Sequence, residues 1–154
     1  RTLGISVPEN FNYPYLASNI REFWNRWHIT LSAWVRDYVF VPTGRRLFAT
    51  WLRPYPSLIA ALSFLVTFAI VGAWHGLTAP YLVWGLYHGL LLSIHHVFQA
   101  HVPMAIAGSR WYRSGVGSAL GAAITFTCVT IGWLPFMTDL DRASRLFSLM
   151  VGAG

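Results

Sequence analysis

Six histidines are the residues best equipped for chemistry in this 154-residue chain. His75 closes the apolar stretch in "VGAWHGLTAP". His88, His95 and His96 follow in the next apolar run, His101 lies just beyond it, and His28 sits in the polar stretch "NRWHIT". An ionisable side chain inside an apolar run is expensive and marks a functional site by default. An imidazole in such surroundings is expected to stay neutral, because desolvation disfavours the charged ring. A neutral imidazole can take the proton of a hydroxyl, which is general-base chemistry. His75 could equally be a packed side chain or a metal or haem ligand. His88 and His95 are two helical turns apart and share a face, too far apart for one metal ion on a straight helix. Each could ligate a different haem, given a partner on another helix.

The elements that must position these rings follow from composition. The chain is 55% hydrophobic and only 10% charged, with a mean hydropathy of +0.48, against roughly 25% charged residues in an ordinary soluble domain. No Asp, Glu, Lys or Arg occurs from Pro54 to Ser109 or from Ser114 to Thr138. A membrane-crossing helix needs about 20 predominantly apolar residues. The first block therefore predicts two spans, residues 57–74 and 81–98, joined by a short Gly- and Pro-containing turn. The second block predicts one span, residues 116–137. The fold class is an all-α, polytopic membrane protein fragment with about three transmembrane helices.

All 11 basic residues are Arg. Seven precede the first span (Arg1, Arg21, Arg26, Arg36, Arg45, Arg46 and Arg53), and Arg110 and Arg113 fall in the loop two spans later. The positive-inside rule puts both regions in the cytoplasm, with His95, His96 and His101 at that membrane edge. The pI of about 10.1 then reflects topology and attraction to a lipid surface. The arginines never cluster densely, which argues against nucleic acid as a partner. The single cysteine, Cys128, can form no intrachain disulfide and reads as a small buried apolar residue. The chain opens on Arg, has no signal-peptide pattern, and reads as part of a longer integral protein.

Residues 1–17 lead into the most patterned polar stretch, residues 18–42. Ile20, Phe23, Trp24, Trp27, Leu31, Trp34, Val35 and Tyr38 recur at helical spacing. Asn19 with Glu22 resembles a capping box, Glu22 can pair with Arg26, and Pro42 is expected to end the helix. An amphipathic helix with a Trp-rich face and arginines opposite suits the membrane interface. On such a helix Arg21, Asn25, His28, Ser32 and Arg36 share one flank. His28 then lies where the faces meet, either as a hydrogen-bonded structural residue or in contact with substrate.

Three segments together carry a resemblance: "PENFNYPYL" (Pro8–Leu16), "EFWNRWHITLSAWVRDYVF" (Glu22–Phe40) and "GAWHGLTAPYLVWGLYHGL" (Gly72–Leu90). Their order and spacing resemble the membrane-bound O-acyltransferases, above all the alginate O-acetylation branch, with the teichoic-acid D-alanyl transfer proteins as cousins. "IGWLPF" followed by "DRASRLFSLMVG" (Asp141–Gly152) is similar to the next landmark of that branch. The resemblance implies a polytopic enzyme with a buried chamber, in the bacterial cytoplasmic (inner) membrane, and with further N- and C-terminal parts. An acyl thioester such as acetyl-CoA would enter from the cytoplasm and a hydroxyl acceptor from outside.

The family's catalytic histidine maps onto His75, and the second activity-linked one maps onto His28. Trp74, Trp27, Arg36 and Asp37 are the expected substrate-binding residues, while Trp84 and Tyr87 shape the chamber or simply pack. No metal and no bound cofactor are required. Thr30 stands where serine is usual and keeps the hydroxyl. "VPTGR" (Val41–Arg45) lacks the family's second glycine, and Pro135–Met137 replace its aromatic-arginine pair. The expected reaction is acyl, notably acetyl, transfer to an exported cell-surface polysaccharide such as alginate. The alternatives are a D-alanyl or acetyl relay to a periplasmic or membrane partner protein or another cell-wall polymer, and a non-enzymatic haem-binding or transporter module.

Overall fold

A computed structural model describes residues 7–102 and 114–137, together with Ser148. Arg1, Arg110, Arg113 and, apart from Ser148, the stretch Asp141–Gly152 lie outside the described residues. Those described form helices and connections with no strand: α1 (Ile20–Arg26), α2 (Ile29–Val35), a π turn (Arg36–Phe40), α3 (Val41–Phe48), α4 (Pro56–His75), α5 (Ala79–His101) and α6 (Gly115–Met137).

The three long helices fall in the two uncharged stretches, α4 and α5 in the first and α6 in the second. Proline in the first turn opens α4 and α5, where its missing N–H costs nothing. Two helices, Pro56–His75 and Gly115–Pro135, are long and apolar enough to cross a membrane, with mean hydropathies of 2.1 and 1.5. α5 is as long, but His95, His96, Gln99 and His101 make its last turns polar. α4 and α5 approach very closely. A Cβ on Gly85 would collide with the Phe68 carbonyl oxygen, and one on Gly72 with that of Tyr81. Small residues at such crossings let helix backbones meet where lipid offers no hydrophobic drive.

The segment 18–48 differs from the single helix expected over 18–42. It breaks at Trp27 and His28, widens into the π turn, and runs on to Phe48. Pro42 does not stop it. The N–H of Val41 reaches back five residues to the Arg36 carbonyl, and this wider turn makes room for a proline ring that would clash in a regular helix. The capping box is also shifted. The Glu22 N–H donates to Asn19 Oδ1 at 2.9 Å, but the Glu22 carboxylate accepts from the Ser18 N–H (2.7 Å) and hydroxyl (2.8 Å). Glu22 and Arg26 form the expected ion pair.

The Trp-rich face of α1 is covered by protein. Phe23 and Trp24 are buried, and the Trp24 ring lies 4.8 Å from Phe68 and 5.2 Å from His88, centroid to centroid. Further on, Trp34 and Tyr38 remain exposed, with rings 5.3 Å apart. Cys128 is half-buried, and its carbonyl accepts the Tyr87 hydroxyl at 2.8 Å.

Candidate active site

His75 is the last residue of α4, and Gly76 ends the helix in extended backbone. A Cβ at position 76 would stand 2.7 Å from the Tyr81 ring, so the glycine lets the chain turn tightly beneath that side chain. The imidazole of His75 meets Trp74 at 4.8 Å and Trp84 of α5 at 5.3 Å, edge-on to both. It is exposed among the described residues, which leave it open rather than enclosed in a chamber.

His28 occupies the break between α1 and α2, with φ 45° and ψ 56°. This left-handed conformation is uncommon outside glycine, although His, Asn and Asp adopt it more often than other residues. It ends α1 and redirects the chain. His28 stands in the N-cap position of α2 but makes no side-chain capping bond. Asn10, 18 residues upstream, does the capping: its carbonyl accepts the Ile29 N–H (2.9 Å), and its Oδ1 accepts the Thr30 N–H (3.0 Å) and hydroxyl (2.6 Å). The Asn12 N–H then donates to the last carbonyl of α1, at Arg26, at 3.0 Å. Two orphan N–H groups of α2 and the last carbonyl of α1 are thus satisfied by the lead-in segment rather than by the His28 ring. Its Nδ1 is buried with no hydrogen-bond partner among the described residues.

These two histidines come from different elements. A wall of rings connects them. Phe11 lies 6.1 Å from His28 and 5.0 Å from Trp27, Trp27 lies 5.6 Å from Trp133, and Trp133 lies 6.1 Å from Trp84, which touches His75. Such a surface can hold a weakly polar acyl group and exclude water while two imidazoles handle protons.

Residues 2–132 match the profile of the membrane-bound O-acyltransferase family. The chain belongs to that family. It is 34% identical to a probable alginate O-acetylase of Pseudomonas aeruginosa over 99% of its own length, and 34% identical to a peptidoglycan O-acetyltransferase of Helicobacter pylori over 97%. It is also 34% identical to a teichoic acid D-alanyltransferase of Bacillus subtilis over 87%. The chain spans 26% of the first two relatives and 33% of the third.

The other expected site residues divide into two groups. Trp74 flanks His75 and is exposed; Trp27 stacks on Phe23 at 5.6 Å and forms part of the ring wall. Arg36 and Asp37 lie in the π turn and pair with each other through two hydrogen bonds, at 2.8 and 3.3 Å. That mutual contact holds the exposed Asp37 carboxyl below its ordinary value and the Arg36 guanidinium above its own. Arg36 also borders a cavity of about 370 Å³, with Arg21 and Asn25 at its polar side and Trp24, Phe64 and Phe68 at its apolar side. Neither His28 nor His75 lines this cavity.

Asn10, Phe11 and Trp133 are members of the site that sequence reasoning did not single out. "PENFN" and "IGW" held the signal only as parts of longer motifs. His88 is buried against Trp24, Trp84 and Tyr87. A Cβ at Gly132 of α6 would stand 2.7 Å from its Nε2. That packing leaves no space for a porphyrin on this nitrogen of His88.

Proposed function

We propose that the protein containing this chain is an O-acyltransferase of the bacterial cytoplasmic membrane. It moves an acyl group, acetyl in the leading reading, from a thioester donor such as acetyl-CoA to a hydroxyl of an exported polysaccharide of the alginate type. The observation that carries the reading is the chain of rings that runs from His28 through Phe11, Trp27, Trp133 and Trp84 to His75. In this mechanism His75 takes the acceptor hydroxyl's proton as that oxygen attacks the thioester carbonyl. The tetrahedral adduct then collapses, the acyl group stays on the acceptor oxygen, and the thiolate leaves and recovers a proton. His28, whose buried Nδ1 has no hydrogen-bond partner among the described residues, orients the acceptor or carries a proton. A positioned general base contributes roughly 10²–10⁴ in rate.

Equal identity to an O-acetylase and to a D-alanyltransferase favours a second reading, in which the acyl group is D-alanyl or passes through a relay protein to another cell-wall polymer. One experiment addresses both readings: surface-polymer acetylation and D-alanylation in cells carrying the full-length protein or its His75→Ala variant at equal membrane abundance. Loss of acetylation alone supports the leading reading, and loss of D-alanylation alone supports the second. Retention of both removes His75 from the chemistry.

A further inference from the structure

At the end of the molecule remote from His75, the start of α1, the end of α5 and the first turn of α6 enclose two adjoining hollows. One, of about 490 Å³, is lined by Asn19, Arg21, His95, His96, Gln99 and Ala100. The other, of about 410 Å³, is lined by Ser18, Ser114, Ser118 and glycines of α6, and shares Asn19 and Gln99 with the first. Arg21 lies close enough to act electrostatically on both imidazoles, and His96 on His95. Three groups that carry or can carry positive charge therefore face one space. No carboxylate lines either hollow among the described residues. Glu22, beside Arg21 in sequence, is engaged by Ser18 and Arg26.

Like charges gathered without a counter-charge repel one another. The first turn of α6 adds the positive end of a 23-residue helix to the second, adjoining hollow. Hydroxyls and amides complete the lining, and each hollow is many times the roughly 30 Å³ of a water molecule.

We propose that this cleft binds a phosphate group, carried by an anionic lipid headgroup or by a small soluble phosphate ester, through Arg21, His95 and His96. Arg21 supplies the planar donor fork suited to phosphate oxygens. The imidazoles donate to the same group, and Ser118 of the adjoining hollow meets a hydroxyl of the ester. Neither candidate catalytic histidine takes part, so the site stands or falls independently of the acyl-transfer reading.

The test is the thermal unfolding midpoint of the full-length protein in nanodiscs. One arm compares phosphatidylcholine alone with a two-to-one mixture of phosphatidylcholine and phosphatidylglycerol. The other titrates inorganic phosphate and glycerol 3-phosphate against chloride at equal ionic strength, in phosphatidylcholine. At least one probe is expected to raise the midpoint. Arg21→Gln combined with His95→Gln and His96→Gln should shift half-saturation by about tenfold or more, since each charge-assisted bond to phosphate is worth that much. Arg53→Gln, away from the cleft, should leave the response intact. If the triple variant does not fold, Arg21→Lys, which keeps the charge but loses the fork, should still weaken the response several-fold. A response to lipid alone assigns the phosphate to a headgroup, and one to the soluble probes assigns it to a free ester. No response from the wild-type protein, or an equal response from a folded cleft variant, overturns the proposal.

Discussion

The indole of Trp84 stands edge-on to the imidazole of His75, with ring centroids 5.3 Å apart and planes at 89°. Trp84 is only 2% exposed and also meets His88 at 5.0 Å and Trp24 at 6.0 Å. The buried aromatic core of the bundle and the candidate base therefore share one side chain. Trp84→Ala should destabilise the protein by about 3–5 kcal/mol and be seen as lost membrane abundance. Trp84→Phe should keep the abundance while transfer falls about ten- to a hundred-fold, because small displacements of a reacting group carry costs of that size. Transfer at the wild-type rate in Trp84→Phe would mean that the indole does not position His75.

The backbone at His28 separates its structural role from its chemical one. Asn tolerates the left-handed conformation nearly as well as His, whereas a β-branched residue does not. His28→Asn should therefore fold like the wild type and His28→Val should not, as read by protease resistance in membranes. Both should lose transfer, His28→Asn by about 10²-fold or more if the imidazole moves a proton. An active His28→Asn protein would reduce His28 to a turn residue.

Asn10 acts on the site through a helix end. Asn10→Ala should cost about 1 kcal/mol, the usual loss for a helix cap, and lower kcat more than it raises KM, because His28 is mispositioned rather than removed. Asn10→Asp keeps the acceptor oxygen and adds a charge favoured at the start of a helix. It should restore both stability and kcat; a failure to do so would show that Oδ1 is not the part of Asn10 that matters.

Glu22 links stability to pH. Burial opposes its ionisation, but hydrogen bonds from Ser18 and the charge and hydrogen bond of Arg26 outweigh burial and hold the carboxyl below its ordinary 4.5. A carboxyl depressed in the folded state contributes stability that is fully present above the unfolded value and is lost as pH falls through the folded one. Glu22→Gln should thus melt below the wild type at neutral pH, and the gap should close under acid conditions below pH 4.5. A gap that is constant with pH would place the effect of the substitution in packing rather than in charge.

The long helices were legible because nothing interrupts their apolar runs, and Pro56, Gly76 and Pro80 punctuate them. His75 stood out as a candidate because it is the one ionisable side chain of the apolar run that forms α4. The break at Trp27–His28 was hidden because the three-and-four spacing from Trp24 to Leu31 runs straight through it. Its cause, Asn10, is a non-local partner that no window over the helix contains. The ring wall was hidden likewise. Trp27 lies at the α1–α2 break, Trp84 in α5 and Trp133 in α6, and only their packing makes them neighbours. The π turn that carries the chain past Pro42 has no periodic signature of its own.

The clip between the lead-in segment and the α1–α2 break has a mechanical side. Tyr13 and His28, at φ 44° and 45°, are the two non-glycine residues with positive φ among those described, and they lie on opposite sides of the same few hydrogen bonds. Neither would hold this conformation alone, and each costs on the order of 1–3 kcal/mol to keep there. The bonds from Asn10 and Asn12 thus act as a catch on a wound spring. While the catch holds, His28 keeps its left-handed backbone at the α1–α2 break; a slip would let Tyr13 and His28 relax together.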